Sequence, residues 1–166
     1  MFNENIFIYD DAFGKAEQKG RKIWYDFLTK EYPDILEYIE FTPTKYDKVD
    51  GYMKLKGNDK IITFEIKRRN ILSTATKADG TKYADEGYIL EKIKYDALWK
   101  DYQKGNDGWY INIFDDCMMI WDISTIPPTF EWVNCTGTTV VNYQKGVVPK
   151  LCHLLTPDEK PIYTIV

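Results

Sequence analysis

Histidine and cysteine are scarce in this chain. His153 is the only histidine, and Cys117, Cys135 and Cys152 are the only cysteines. A zinc site or a histidine-based triad therefore has almost no ligands to draw on, and no C-x-x-C pair exists. Three cysteines so far apart make no disulfide framework, so reduced, packed thiols are expected. Cys152-His153 is a poor nucleophile pair, because adjacent residues on a strand point opposite ways. A basic excess is also missing. Lys and Arg number 22 against 26 Asp and Glu, for a net charge of −4 and a pI near 5.1. No global field draws in nucleic acid, which argues against a tight nonspecific binder but leaves room for a local patch. No apolar run approaches the ~20 residues of a membrane span. Met1 to Asn5 carry neither a charged n-region nor an h-region, so a cytoplasmic protein without a signal peptide or membrane segment is expected. Internal repeats, glycine-rich phosphate loops and low-complexity segments are absent as well.

What remains is an ordinary globular composition. Of the 166 residues, 44% are hydrophobic, 16% aromatic and 29% charged, enough for one domain with a real core. Asp10 and Asp11 offer a cap for a helix over about 12 to 30. Its apolar residues Phe13, Ala16, Ile23, Trp24, Phe27 and Leu28, with Gly20 among them, share one arc at ~100° per residue. Glu17 lies inside that arc as its only charge. A lone buried carboxylate needs a partner or a cation, unless Glu17 reaches solvent from the edge of the stripe. Tyr32-Pro33 ends the helix. Residues 34 to 46 read as a short turn or helix and then a connection.

Asp50 to Lys67 reads as a β-hairpin turning at Gly57-Asn58-Asp59-Lys60. One face carries Val49, Met53, Leu55, Ile62, Phe64 and Ile66. The other carries Asp50, Tyr52, Lys54, Lys56, Thr63, Glu65 and Lys67. With Asn58 and Asp59 as the two loop residues, Asp50 lies opposite Lys67, and Glu65 is its diagonal neighbour. Two carboxylates and a lysine on one spot suit Mg²⁺, which takes hard oxygen ligands and can polarise a phosphate and acidify a bound water. The plain alternative is an amphipathic hairpin with a solvated polar face. Asp47 is a rival acid that faces the other way.

Arg68 and Arg69 lead into a polar run from Asn70 to Gly87 that carries Lys77, Lys82 and Tyr83. It reads equally as a substrate-side loop or as a tolerated surface insertion. A second helix is expected over about 86 to 103, capped by Asp85, with Ile89, Leu90, Ile93, Ala97 and Leu98 as its stripe and Lys94 inside it. Lys94 either covers apolar surface with its stem or reaches into a site. Trp109 to Phe114 and Cys117 to Ile123 read as two further strands. Beyond Pro127-Pro128, strand-like pieces over 130–133, 138–143, 147–155 and 162–166 extend the sheet, cap it or make a homodimer face.

Asp50, Glu65, Ile66 and Lys67 resemble the PD-(D/E)xK nuclease superfamily, the restriction-endonuclease-like fold, whose pattern is an acid on one strand and then Glu or Asp, any residue and Lys on the next. Val49 stands in place of the proline before the acid. The closest likeness is to compact resolvase-like and phage-type members. The resemblance implies an α/β fold, a central mixed sheet flanked by helices, with an α-β-β-α-β-β core over about 10 to 122 and a β-rich extension over 123 to 166, within one domain. It implies a Mg²⁺ or Mn²⁺ held by Asp50, Glu65 and the Ile66 carbonyl, with Glu17 assisting from the first helix. It implies that Lys67 is the catalytic lysine and that Lys94 supports the phosphate. The expected activity is hydrolysis of phosphodiester bonds in nucleic acid, DNA above all. Arg68, Arg69, Lys77 and Lys82 are the candidate contacts to the nucleic acid. The alternatives are a binding module on the same fold with no catalysis, or a nuclease subunit active only in a larger assembly.

Overall fold

A computed structural model describes residues 12–43, 47–76, 78–82, 88–129, 131–135, 150–155, 161 and 163–165. Asp10, Asp11, Lys77, Tyr83 and Asp85 lie outside the described residues, as does the expected strand over 138–143. Helix α1 spans Ala12–Glu31. Trp24 and Leu28 are buried on it, Gly20 beside them, at the i, i+4 spacing that puts residues on one face. Its last turn closes with the Tyr32 amide donating to the Leu28 carbonyl, one residue before Pro33.

Strands β1 (Leu36–Phe41), β2 (Gly51–Leu55) and β3 (Ile61–Arg68) follow as an antiparallel meander. Strand β4 (Tyr88–Glu91) leads into helix α2 (Lys92–Tyr102), which crosses over to β5 (Asp107–Ile113) and β6 (Met118–Asp122). After a 3₁₀ turn at Ile123–Thr125 come β7 (Val133–Cys135), β8 (Lys150–Leu155) and β9 (Tyr163–Ile165). The central sheet runs β1-β2-β3-β5-β6-β9, and β4-β8-β7 form a second, smaller sheet. Strands β3 and β5 are parallel and the other pairs antiparallel, so the protein is α/β with a mixed central sheet. No described helix is long and apolar enough to cross a membrane.

Both faces of the central sheet are covered. Met53, Ile62, Phe64, Ile66, Ile111 and Ile120 pack with Trp24 and Leu28 of α1. Tyr110 and Trp121 on the opposite face pack with Tyr95 and Leu98 of α2, Leu90 of β4 and Leu155 of β8. Helix α1 approaches so closely that a Cβ on Gly20 would sit 3.3 Å from a methyl of Ile66.

The structure corrects several expectations. Residues 36–41 form a strand rather than a turn or helix. They make the sheet's edge, with only Phe41 fully buried and a bulge between Leu36 and Tyr38, so their alternation is weak. The second helix begins at Lys92. Tyr88–Glu91 is a strand because β8 pairs with it from 150–155, a partner that local periodicity cannot see. Ile93, assigned to the buried stripe, is therefore 57% exposed. The β2–β3 loop is longer than two residues. Gly57 takes φ +79°, and the Asn58 amide closes on the Leu55 carbonyl. The register moves by two, setting Gly51 opposite Phe64 and Lys54 opposite Ile61. Asp50 then stands level with Glu65 rather than Lys67.

Candidate acidic site at the end of the central hairpin

Asp50 immediately precedes β2 and is 4% exposed. Its amide donates to the Phe64 carbonyl, which continues the ladder by one bond. At the next rung the chain has turned away, and the Asp50 side chain replaces backbone: Oδ2 accepts from the Ile66 amide at 2.7 Å. That bond fixes the carboxylate over the middle of β3. Glu65 on the same strand is 6% exposed and meets Lys94 Nζ of α2 through Oε1 at 2.9 Å. Its Oε2 is buried with no hydrogen-bond partner among the described residues. Lys94 also donates to the Asp47 carbonyl at 3.5 Å, so Asp47 enters by its backbone.

Sequence reasoning missed the central cation. Arg21 is 1% exposed and lies among the acids. Its Nε and Nη2 donate to Asp50 Oδ1 at 3.0 and 2.5 Å, Nη2 donates to Glu17 Oε1 at 2.8 Å, and Nη1 donates to the Thr42 carbonyl at 2.8 Å. Glu17 is thus not the only charge on the α1 stripe. Arg21, one turn on at i+4, was the available signal. Thr42 is fixed in turn, its hydroxyl donating to the Val49 carbonyl at 2.8 Å.

Electrostatics tie these groups together. Burial, and then the neighbouring Asp50 carboxylate, push Glu65 well above the ordinary value and raise Glu17 as well. Burial works against the Lys94 charge, but Glu65, Asp50 and Glu17 outweigh it and the ammonium is held up. Lys67 points to the same sheet face as Glu65 but lies two residues on. Burial and then Arg69 lower its pKa, with Glu91 and Glu65 opposing. Its side chain has no hydrogen bond or ion pair among the described residues. Beside it Lys150 of β8 pairs with Glu91 at 2.7 Å. Asn112 faces Lys67 across the β3–β5 pair, and its Nδ2 is buried without a partner among the described residues.

The two arginines expected as nucleic-acid contacts are engaged within the fold, and Lys77 lies outside the described residues. Arg68 donates to the Ile113 carbonyl at 2.9 Å and pairs with Asp115. Arg69 donates to Asn112 Oδ1 at 2.9 Å and to the Ile89 carbonyl at 3.0 Å. Arg68 thus ties the ends of β3 and β5, and Arg69 ties the central sheet to β4 of the second. Lys82 is exposed, its backbone bridged to Thr76. Exposed Lys48 and Lys100 line a cleft of about 370 Å³ between α2 and the chain from Thr42 to Tyr52. Asp47, Asp96 and Asp101 line the same cleft.

A hard divalent cation matches this donor set in chemistry: carboxylate oxygens, with one buried oxygen, Glu65 Oε2, left unpaired. Asp50 Oδ2 keeps a second lone pair after accepting from Ile66. Against this, Arg21 occupies Asp50 Oδ1. Among the described residues no three Asp, Glu, His or Cys side chains gather closely enough to hold a metal by themselves. Comparisons of the chain with protein-family models, curated proteins and solved structures give no match.

Proposed function

We propose that this chain is a metal-dependent nuclease of the PD-(D/E)xK kind, hydrolysing phosphodiester bonds in nucleic acid, with DNA as the substrate class. One observation carries the reading: α1, the residue before β2, β3 and α2 send Glu17, Asp50, Glu65 and Lys94 to one charge-coupled spot, where Glu65 Oε2 is buried and unpaired among the described residues. Ordinary helices and strands do not bury charge without a use or a partner. The order helix, strands, crossover helix, strand, with β3 parallel to β5, suits the restriction-endonuclease-like core.

Glu65 through Oε2 and Asp50 through Oδ2 would hold the cation, with the Ile66 carbonyl and Glu17 beside them. A bound divalent cation supplies neutralisation of phosphate charge and a more acidic water. Asp50 is kept oriented by the Ile66 amide and Arg21. Lys94 anchors Glu65 and offsets the acids. Lys67, with no side-chain ion pair among the described residues and its charge partly desolvated, donates to the attacking water or to a non-bridging phosphate oxygen. Lys48 and Lys100, exposed on the cleft, take the place of Arg68 and Arg69 as contacts to the phosphate backbone.

A second reading is a binding module on this fold without catalysis. Arg21 favours it, since its guanidinium already lies between Glu17 and Asp50. Calorimetric titration with Mg²⁺ and Mn²⁺, beside cleavage assays on linear, circular, branched and single-stranded DNA, separates the two. Metal binding with cleavage supports the nuclease. No heat at millimolar metal and no cleavage supports the module.

A further inference from the structure

Arg21, 1% exposed, is the only buried arginine or lysine among the described residues. Three carboxylates gather around it and Lys94: Glu17 and Asp50 on Arg21, and Glu65 on Lys94. Like charges in a low dielectric repel strongly, so the cluster needs cations within the fold. Lys94 serves Glu65 on a long stem that keeps some exposure. Arg21 is different. It rises from the buried stripe of α1, and its fork is held on three sides by Asp50, Glu17 and the Thr42 carbonyl. A guanidinium presents five donors in a fixed plane, so such a position is geometrically determined.

We infer that Arg21 is a resident counter-cation, a positioning residue that holds Asp50 and Glu17 in ligand orientation before any ion arrives. The inference rests on reading the acids as a cation site. The fold then needs no metal. Asp50 Oδ2, which keeps a lone pair after accepting from the Ile66 amide, would remain available to a divalent cation with the guanidinium still in place on Oδ1. Metal affinity is correspondingly weakened, because part of the carboxylate charge is already neutralised.

The test is thermal melting of the parent, Arg21→Gln, Arg21→Lys and the double variant Arg21→Gln/Asp50→Asn, each in EDTA and in millimolar Mn²⁺. In EDTA, Arg21→Gln should melt about 10 °C below the parent, as expected for an orphaned buried carboxylate in a chain of this size. Mn²⁺ should restore most of that loss, and the parent should gain less than half as much. The double variant should melt near the parent in EDTA and respond little to Mn²⁺, since the orphaned charge is gone. Arg21→Lys, which keeps charge without the fork, should fall between. An Arg21→Gln protein as stable as the parent in EDTA, or a parent equally responsive to Mn²⁺, would overturn the inference. Should Arg21→Gln fail to fold, the double variant decides. Folded, it upholds the counter-cation role; unfolded, it assigns Arg21 to anchoring Thr42 and overturns it. Cleavage by the parent is read separately. Cleavage with no Mn²⁺ rescue of Arg21→Gln sinks this inference and leaves the nuclease standing. Rescue in a parent that never cleaves does the reverse.

Discussion

Two side chains divide the labour at the residue scale. Lys67 has no side-chain ion pair among the described residues, so its removal should be visible mainly in chemistry. Lys67→Ala is expected to melt within about 2 °C of the parent and to lose cleavage by at least about 100-fold. Single-turnover cleavage beside a melting curve checks both. Glu65 behaves differently. Its folded-state pKa stands well above the ordinary 4.5 because burial and Asp50 disfavour the charge. The folded protein therefore binds more protons than the unfolded chain between 4.5 and that raised value. Stability from this group is fully present below 4.5 and is lost as pH rises through the folded value. Urea titrations in EDTA should show stability falling as pH climbs from 4.5 towards neutrality, and Glu65→Gln should flatten that slope. An unchanged slope in Glu65→Gln would place the effect elsewhere.

The central hairpin sets the geometry at the element scale. A five-residue connection with Gly57 at positive φ brings Asp50 level with Glu65, while α1 and α2 press on opposite faces of β3. Gly51, the residue after Asp50, has no room for a side chain. A Cβ there would lie 2.3 Å from the Glu40 carbonyl and 2.6 Å from the Phe64 ring. Gly51→Ala must push β1 away from β2 and drag Asp50 off the Ile66 amide. It is expected to cost about 2–3 kcal/mol and to weaken metal binding, although no ligand is altered. Chemical denaturation and calorimetry of this one variant check both. Gly57→Ala, strained only by its φ, should cost about 1 kcal/mol and leave metal binding alone.

For the molecule as a whole, the C-terminal strands are woven into the fold that carries the site. Strand β8 is the partner of β4, buries Cys152 and Leu155, and sets Lys150 against Glu91 near Lys67. Strand β9 extends the central sheet at β6. Deleting residues 150–166 strips β4 of its pairing and uncovers Leu90, which is fully buried. That truncated chain is expected to lose cooperative melting and near-ultraviolet circular dichroism. A cooperatively folded truncation would show that residues 150–166 are not needed for the fold.

Local periodicity by itself determined the first helix, the hairpin and the acids and lysine that line its polar face, because the periods of 3.6 and 2 are properties of the chain's own geometry. The Glu17 and Lys94 anomalies were visible for the same reason: each is a charge on a stripe that must be buried. Tertiary structure alone decided the rest. Arg21 and Asp50 are 29 positions apart, and Lys150 and Glu91 are 59 apart, so neither pair leaves a local pattern. Residues 88–91 carried apolar residues that suit either a helix or a strand, and only the pairing with β8 selected the strand. Arg68 and Arg69 read as basic patch until folding brought the Ile113 and Ile89 carbonyls to them. Distant partners, loop length and the demand of buried polar groups for hydrogen bonds settle such choices, and they exist only once the sheet is assembled.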